Sequence, residues 1–284
     1  MFNERKVSVH DQKLNLAVGP ANGPPLLLLH GVTRRWQDFA PLVPSLTAMW
    51  KVFALDHRGH GRSSWTESYL VTDYSRDAVD LILSEFEEPV VLFGHSLGAM
   101  AACAAAAELP EQVRAIILED PPFDTLGDGI SETPFYALFS GMRDQRNLAD
   151  GSKSLLANAL AEIRVPSMDR QETLRLGDVR DAAQLRFAAK CLVDLDPSIF
   201  LPLLDGAWLT GFNWRAMLPK VKCPALLMAA DCQTGGMMPE ELADTVEMLL
   251  KECSRVDFKN AGHQIHWQQT DAVARTVSAF LESL

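Results

Sequence analysis

Ser96 lies between two glycines in Gly94-His95-Ser96-Leu97-Gly98. A serine hydroxyl is a weak nucleophile at neutral pH and attacks a carbonyl only with a base within hydrogen-bond reach. A G-x-S-x-G turn lifts that hydroxyl clear of the backbone at a strand-to-helix junction. The flanks here fit that setting. Pro89-Val90-Val91-Leu92-Phe93 is an apolar run that reads as a buried strand, and Ala99 to Ala107 has very high helix propensity. The glycines let the chain turn sharply without a Cβ clash, and the helix aims backbone N–H groups at the reacting centre. The chain holds seven histidines as candidate bases. His263 and His266 lie past the last predicted strand.

These groups need a scaffold. Lys6–His10 and Leu14–Val18 read as a hairpin around Asp11-Gln12-Lys13. Pro25–Leu29 is apolar on both faces, as in a parallel sheet. Asp38 to Met49 predicts a helix, Lys51–Leu55 a strand, Thr72–Glu87 an amphipathic helix with Thr72 as N-cap, and Arg114–Leu118 a strand. Strands alternating with helices imply a doubly wound parallel sheet. Ligands on such a sheet bind at the carboxyl ends of its strands. The loops after Leu29, Leu55, Phe93 and Leu118 should therefore face one site, and they carry His30-Gly31, Asp56 to Gly61, Ser96 and Asp120.

The alternation stops at Pro121-Pro122. From Ile130 to Pro219 the pattern is helical, with no clear strand. Strand character returns at Pro224–Ala229. A helix follows over Pro239–Cys253, a strand over Arg255–Phe258, and a last helix from Gln269 to Leu284. Residues 1–129 and 220–284 are thus expected to form one α/β core, with 130–219 inserted as a helical cap over the strand ends.

The 284 residues are 48% hydrophobic and 22% charged, which suits a globular chain with a sizeable core. A net charge of −11 does not offer the basic face that nucleic acid or an anionic membrane requires. The five cysteines, none at C-x-x-C spacing, predict free thiols in a reducing compartment. Met1 to Lys6 has no apolar stretch of the signal-peptide kind, and no run is long enough for a membrane helix. A cytoplasmic location is the expectation. No P-loop and no G-x-G-x-x-G occurs, so no cofactor is expected. His57 and His60 lack further ligands at a set spacing, so no metal is expected either.

In order and rough spacing, four segments resemble the α/β-hydrolase superfamily with a helical cap. They are Leu29-His30-Gly31-Val32, Asp56 to Ser63, Gly94 to Gly98 and Ala261-Gly262-His263. The resemblance implies a serine hydrolase of the esterase or lactonase kind, with Ser96 as nucleophile and His263 at the base position. It implies that His30, His57, His60 and His95 hold turns together, and that the Asp56–Ser63 loop packs beneath the site through Arg and Asp contacts. His266 would begin the last helix or line the pocket. The acid that orients the base stays open. Asp231 follows the strand where the family usually carries it, but Gln233 or Gly235 stands where the acid is expected. Asp120 follows the strand after the nucleophile helix, a place used by some members, with Pro121 holding its backbone extended. Asp120 is favoured and Asp231 is the alternative; Glu119 should point to the other side of its strand. The oxyanion would be held by the N–H of Leu97 and, in the turn after His30-Gly31, of Val32.

Aromatic residues in the loops and the cap suggest an apolar substrate pocket. Trp36 and Phe123, near strand ends, are its first candidates. Phe135, Trp208 and Trp267 are next, with His30, Gly31 and His95 at its floor. Met237-Met238 would add an adaptable wall. The expected partner is a small-molecule ester or lactone. The same Ser and His would also serve carbon–carbon bond hydrolysis of a diketone-type substrate, and a non-catalytic ligand receptor can keep the same residues.

Overall fold

In the central strands nearly every residue is apolar, yet successive residues go to different cores. Leu27, Leu29, Leu92, Leu118 and Leu227 face one; Leu26, Leu28, Phe93, Ile117 and Met228 face the other. Strands buried on both faces belong in a parallel sheet covered by helices.

The computed structural model describes residues 2–149 and 151–284. Its strands are β1 (Asn3–Val9), β2 (Gln12–Val18), β3 (Pro25–Leu29), β4 (Lys51–Asp56), β5 (Val90–His95), β6 (Val113–Glu119), β7 (Arg164–Pro166), β8 (Thr173–Arg175), β9 (Ala225–Ala230) and β10 (Cys253–Phe258). Eight of them form one sheet in the order β1-β2-β4-β3-β5-β6-β9-β10. β1 pairs with β2, and β2 with β4, antiparallel; every other pairing in this sheet is parallel. This is the doubly wound, mostly parallel sheet expected from the alternation.

Several local expectations need correction. The predicted helix from Asp38 to Met49 is two short turns, Trp36–Phe39 and Val43–Leu46. Pro41 falls in the break between them, where its missing N–H cannot continue a helix, and Pro44 stands in the first turn of the second, where a missing N–H is tolerated. The helix Val71–Glu85 begins one residue ahead of Thr72. Its N-cap is Leu70, whose N–H donates to the Asp73 carboxylate at 2.8 Å. The first hairpin turns through His10-Asp11, so His10 (φ 48°) sits in the turn rather than in a strand.

The segment between β6 and β9 is mainly helical, including Pro134–Leu148, Lys153–Ala161 and Ala182–Val193. It also holds a separate antiparallel pair, β7 with β8, where no strand was expected. Three-residue strands are too short to show an alternating pattern. Among the described residues no helix is long and apolar enough to cross a membrane.

Candidate active site

Ser96 follows the last residue of β5 and takes φ 55°, ψ −117°. Such a backbone costs a non-glycine residue about 1–3 kcal/mol and persists only where its surroundings enforce it. The Ser96 N–H donates to the Glu119 carbonyl at 2.9 Å. A Cβ on Gly94 would stand 2.2 Å from the Gly98 carbonyl oxygen, and one on Gly98 would stand 1.9 Å from that of Leu29. Both glycines are therefore required by close backbone approach. The helix Leu97–Glu108 is buried all round from Leu97 to Ala106, which fixes the elbow to the sheet.

The loop after β3 closes against this elbow. A Cβ on Gly31 would lie 3.2 Å from Ser96 Cβ. The Thr33 N–H donates to His60 Nε2 at 3.1 Å, the His57 N–H to His30 Nε2 at 3.0 Å, and the Trp36 N–H to the Asp56 carboxylate at 2.8 Å. A ring nitrogen that accepts must be unprotonated. Burial lowers His60 to about 4 and His30 well below its ordinary value, so both stay neutral. Among the described residues, no protein group accepts the N–H of Val32 or of Leu97.

Asp120 comes directly after β6. Its backbone has φ 45°, not the extended form expected from Pro121. Four hydrogen bonds hold it there. Its N–H donates to the Met228 carbonyl at 2.9 Å, and its buried carboxylate accepts from Ala230 N–H at 3.3 Å, Met237 N–H at 2.8 Å and His263 Nδ1 at 2.7 Å. Asp231 does not reach His263. Its carboxylate accepts from Asn260 N–H at 3.0 Å and Gln233 N–H at 2.9 Å, and these bonds hold it below the usual carboxylate range.

Ser96 and His263 line the same cavity, of about 590 Å³. No hydrogen bond joins the two side chains. His95 Nε2 donates to the His263 carbonyl at 3.0 Å, and the two rings lie 4.7 Å apart. The cavity walls come mostly from the inserted segment, with Phe135, Phe139, Met142 and Met168 among them, and from Met237.

The chain matches the family model for alpha/beta hydrolases over residues 26–276. The chain belongs to the alpha/beta hydrolase family. It is 36% identical over 120 residues to 2-(acetamidomethylene)succinate hydrolase of Mesorhizobium japonicum, a match of 42% of this chain and 43% of that protein, so it spans less than half of that relative. It is 24% identical over 262 residues to the pimeloyl-[acyl-carrier protein] methyl ester esterase of Neisseria meningitidis, covering 90% of this chain and 93% of the esterase. In fold it is similar to the enol-lactonase of Burkholderia xenovorans LB400, with a TM-score of 0.75, 18% identity, and coverage of 98% and 100%.

Within this family member, the expected pocket residues divide. Phe135 and His95 line the cavity. His30 and Gly31 lie beneath it, as loop supports. The remaining aromatic candidates sit elsewhere. Trp36 stacks on Phe2 at 5.2 Å, Phe123 stacks on Trp214 at 5.1 Å, and Trp208 is fully buried in the core. Trp267 donates from Nε1 to Asp38 at 2.9 Å and packs on Phe187. The other aromatic candidates join loops to the core, while Phe135 and Phe139 share the wall with Met, Leu and Val side chains.

A buried ionic cluster beneath the site was not foreseen. His266 donates from Nδ1 to Glu119 at 2.8 Å, and its backbone N–H donates to the same carboxylate at 3.0 Å. Its Nε2 stands 3.6 Å from Asp38 Oδ2, an ion-pair distance longer than a hydrogen bond. Arg34 donates to Asp38 from Nε at 2.9 Å. Burial alone would lower the His266 imidazole; Glu119 and Asp38 outweigh it and hold the group up at about 10. Burial also lowers His95, to about 4, so this neighbour stays neutral. The Arg34–Asp38 spacing of i, i+4 was the one local signal of the cluster.

Proposed function

We propose that this hydrolase is a cytoplasmic serine enzyme that cleaves a carboxylic ester or lactone through an acyl-enzyme on Ser96. The observation that carries the reading is that the Asp120 carboxylate lies 2.7 Å from His263 Nδ1 and that His263 and Ser96 line one cavity. Ser96 Oγ adds to the carbonyl carbon while its proton passes to His263 Nε2. The carbonyl electron pair moves onto oxygen, which the free N–H groups of Val32 and Leu97 receive. The bond to the alcohol oxygen then breaks, and that oxygen takes the proton from His263. Water repeats the sequence, loses a proton to His263, and releases the acid and the Ser96 hydroxyl. Asp120 keeps His263 in the tautomer with Nδ1–H and stabilises its protonated form.

The site is also consistent with the ester-cleaving relative named above. The Ser96→Ala protein, checked for unchanged folding by circular dichroism, should lose turnover of an aryl ester and labelling by a fluorophosphonate. Turnover that survives the substitution removes the mechanism. A parallel panel of esters and diketones at equal concentration separates ester cleavage from carbon–carbon cleavage.

A further inference from the structure

The chain carries a net charge of −11, yet among the described residues no Asp or Glu lines the cavity that holds Ser96. Among those residues the lining carries two guanidiniums, Arg34 and Arg180. They differ in one respect. Arg34 is matched by Asp38, at 2.8 Å from Nη2. Two further shielded guanidiniums are matched too, Arg35 by Asp194 at 3.0 Å and Arg58 by Asp77 at 2.6 Å; Arg146, which does not line the cavity, donates from Nη2 to the Leu195 carbonyl. Among the described residues Arg180 has no carboxylate partner; its Nη1 donates to the Gln264 amide oxygen.

The carboxylates nearest to it in sequence are engaged elsewhere. Asp178 pairs with Arg175 at 3.1 Å, and Asp181 accepts from the Gln184 N–H at 2.8 Å. Arg180 is also held in place. Its N–H donates to the Leu176 carbonyl at 2.9 Å, and Asp181 directly after it forms a capping box with Gln184 at the start of the helix Ala182–Val193. Burial, and then Arg34, lower the Arg180 guanidinium to about 10, which still leaves it charged at neutral pH. Asp38 acts on it in the opposite sense, but at a distance; a positive charge in a largely apolar cavity with no carboxylate in contact among the described residues is costly unless the ligand supplies one.

Building on the serine-hydrolase reading of Ser96, we propose that the cavity takes an ester or lactone bearing a carboxylate, and that Arg180 pairs with that carboxylate. Arg180 is then a specificity-determining residue. Its planar fork suits a carboxylate bidentately. The cavity's Met and Phe side chains would take the apolar part of the same molecule.

The test compares pairs of aryl esters on the wild-type protein. One pair places the charge on the acyl side, 4-nitrophenyl hydrogen glutarate against 4-nitrophenyl hexanoate. The other places it on the alcohol side, 4-carboxyphenyl butyrate against phenyl butyrate. One anionic member should be favoured over its neutral partner at least 10-fold in kcat/KM, mainly through a lower KM. Arg180→Met should reduce that ratio about 10- to 100-fold, the range of a hydrogen bond to a charged group. Arg180→Lys should recover part of it. Neutral esters turned over as well as both anionic partners, or a ratio untouched by Arg180→Met, would overturn the proposal. Calorimetric binding of glutarate to Ser96→Ala, with and without Arg180→Met, reads the subsite without catalysis. Binding that needs Arg180 supports the subsite even if no ester is cleaved; no binding, or equal binding in both proteins, sinks it while leaving the Ser96 mechanism to its own test.

Discussion

Two acid–histidine pairs stand at the carboxyl end of β6, one residue apart along the strand and three apart along the later loop. Asp120 meets His263 at 2.7 Å, and Glu119 meets His266 at 2.8 Å. Their contacts are nearly equal in length, and their surroundings are not. His263 keeps 14% of its side chain exposed and opens on the cavity, whereas Glu119 and His266 are fully buried. Alternation along β6 accounts for the split. Ile117 faces one core and Leu118 the other, so Glu119 follows Ile117 toward the face where Phe39 stacks on His266 at 5.3 Å. The lesson is that the hydrogen bond does not assign the role. Access to Ser96 separates a pair suited to moving a proton from one locked in a single charge state.

The sharpest way to break this comparison is to neutralise each acid in turn. Asp120→Asn should lower kcat by about 10⁴-fold, as loss of the orienting carboxylate does in serine proteases, with the fold retained. Glu119→Gln leaves the His266 charge buried beside Asp38 alone, and should destabilise the protein by roughly 3–5 kcal/mol in urea denaturation. Its folded fraction should keep kcat within a few-fold. If Glu119→Gln lost turnover at full stability and Asp120→Asn did not, the two roles would have to be exchanged.

Stability against pH sharpens the same contrast, with a smaller effect. His266 is raised from 6.5 to about 10, so its contribution is fully present below pH 6.5 and is lost as pH rises toward and through 10. The neighbouring buried histidines act in the opposite sense. His57 is lowered to about 3, and His60 and His95 to about 4, each chiefly by burial. Below pH 6.5 the unfolded chain therefore binds protons that the folded chain refuses, and stability falls as pH drops toward 4. Urea midpoints measured from pH 4 to pH 10 should show both limbs. His266→Asn should flatten the alkaline limb and leave the acid limb in place; an unchanged alkaline limb would mean that His266 is not the group responsible.

How much of this was legible in the sequence follows from the range of each signal. The sheet was readable because runs such as Pro25–Leu29 are apolar on both faces over a few contiguous residues. The elbow was readable because Gly94 and Gly98 are demanded by local backbone approach. The meeting of Asp120 with His263 was expected from the place of Asp120 in the chain order, but its backbone was misjudged. The Pro121 rule describes a free dipeptide, and four hydrogen bonds from β9, its following loop and His263 override it. The ionic cluster was hidden because Asp38, Glu119 and His266 come from three distant stretches that only the folded sheet brings together. The aromatic pocket was misjudged because burial and proximity to a strand end do not say which way a side chain points. Phe123 satisfies both conditions and still faces the core, as does the buried Trp208 of the inserted segment.

The smallest expected effect bears on the alternative acid. Asp231 accepts one backbone N–H on each carboxylate oxygen, from Gln233 and from Asn260. In Asp231→Asn one of those oxygens becomes an NH₂ group, which sets a donor against a donor. One hydrogen bond is lost at a partly exposed site, about 0.5–1.5 kcal/mol by denaturation. The loop from Asp231 to Gly236 is also tied by the Thr234 and Gly236 N–H groups, both donating to the Asp231 carbonyl at 3.0 and 2.9 Å, and these survive the change. His263 Nδ1 remains on Asp120, so kcat should move by no more than a few-fold. A fall of several orders of magnitude would instead require Asp231 to displace Asp120 at the imidazole during turnover. That exchange would have to break the bonds from Ala230, Met237, Gln233 and Asn260 together, and the crowding of backbone donors around both acids is what argues against it.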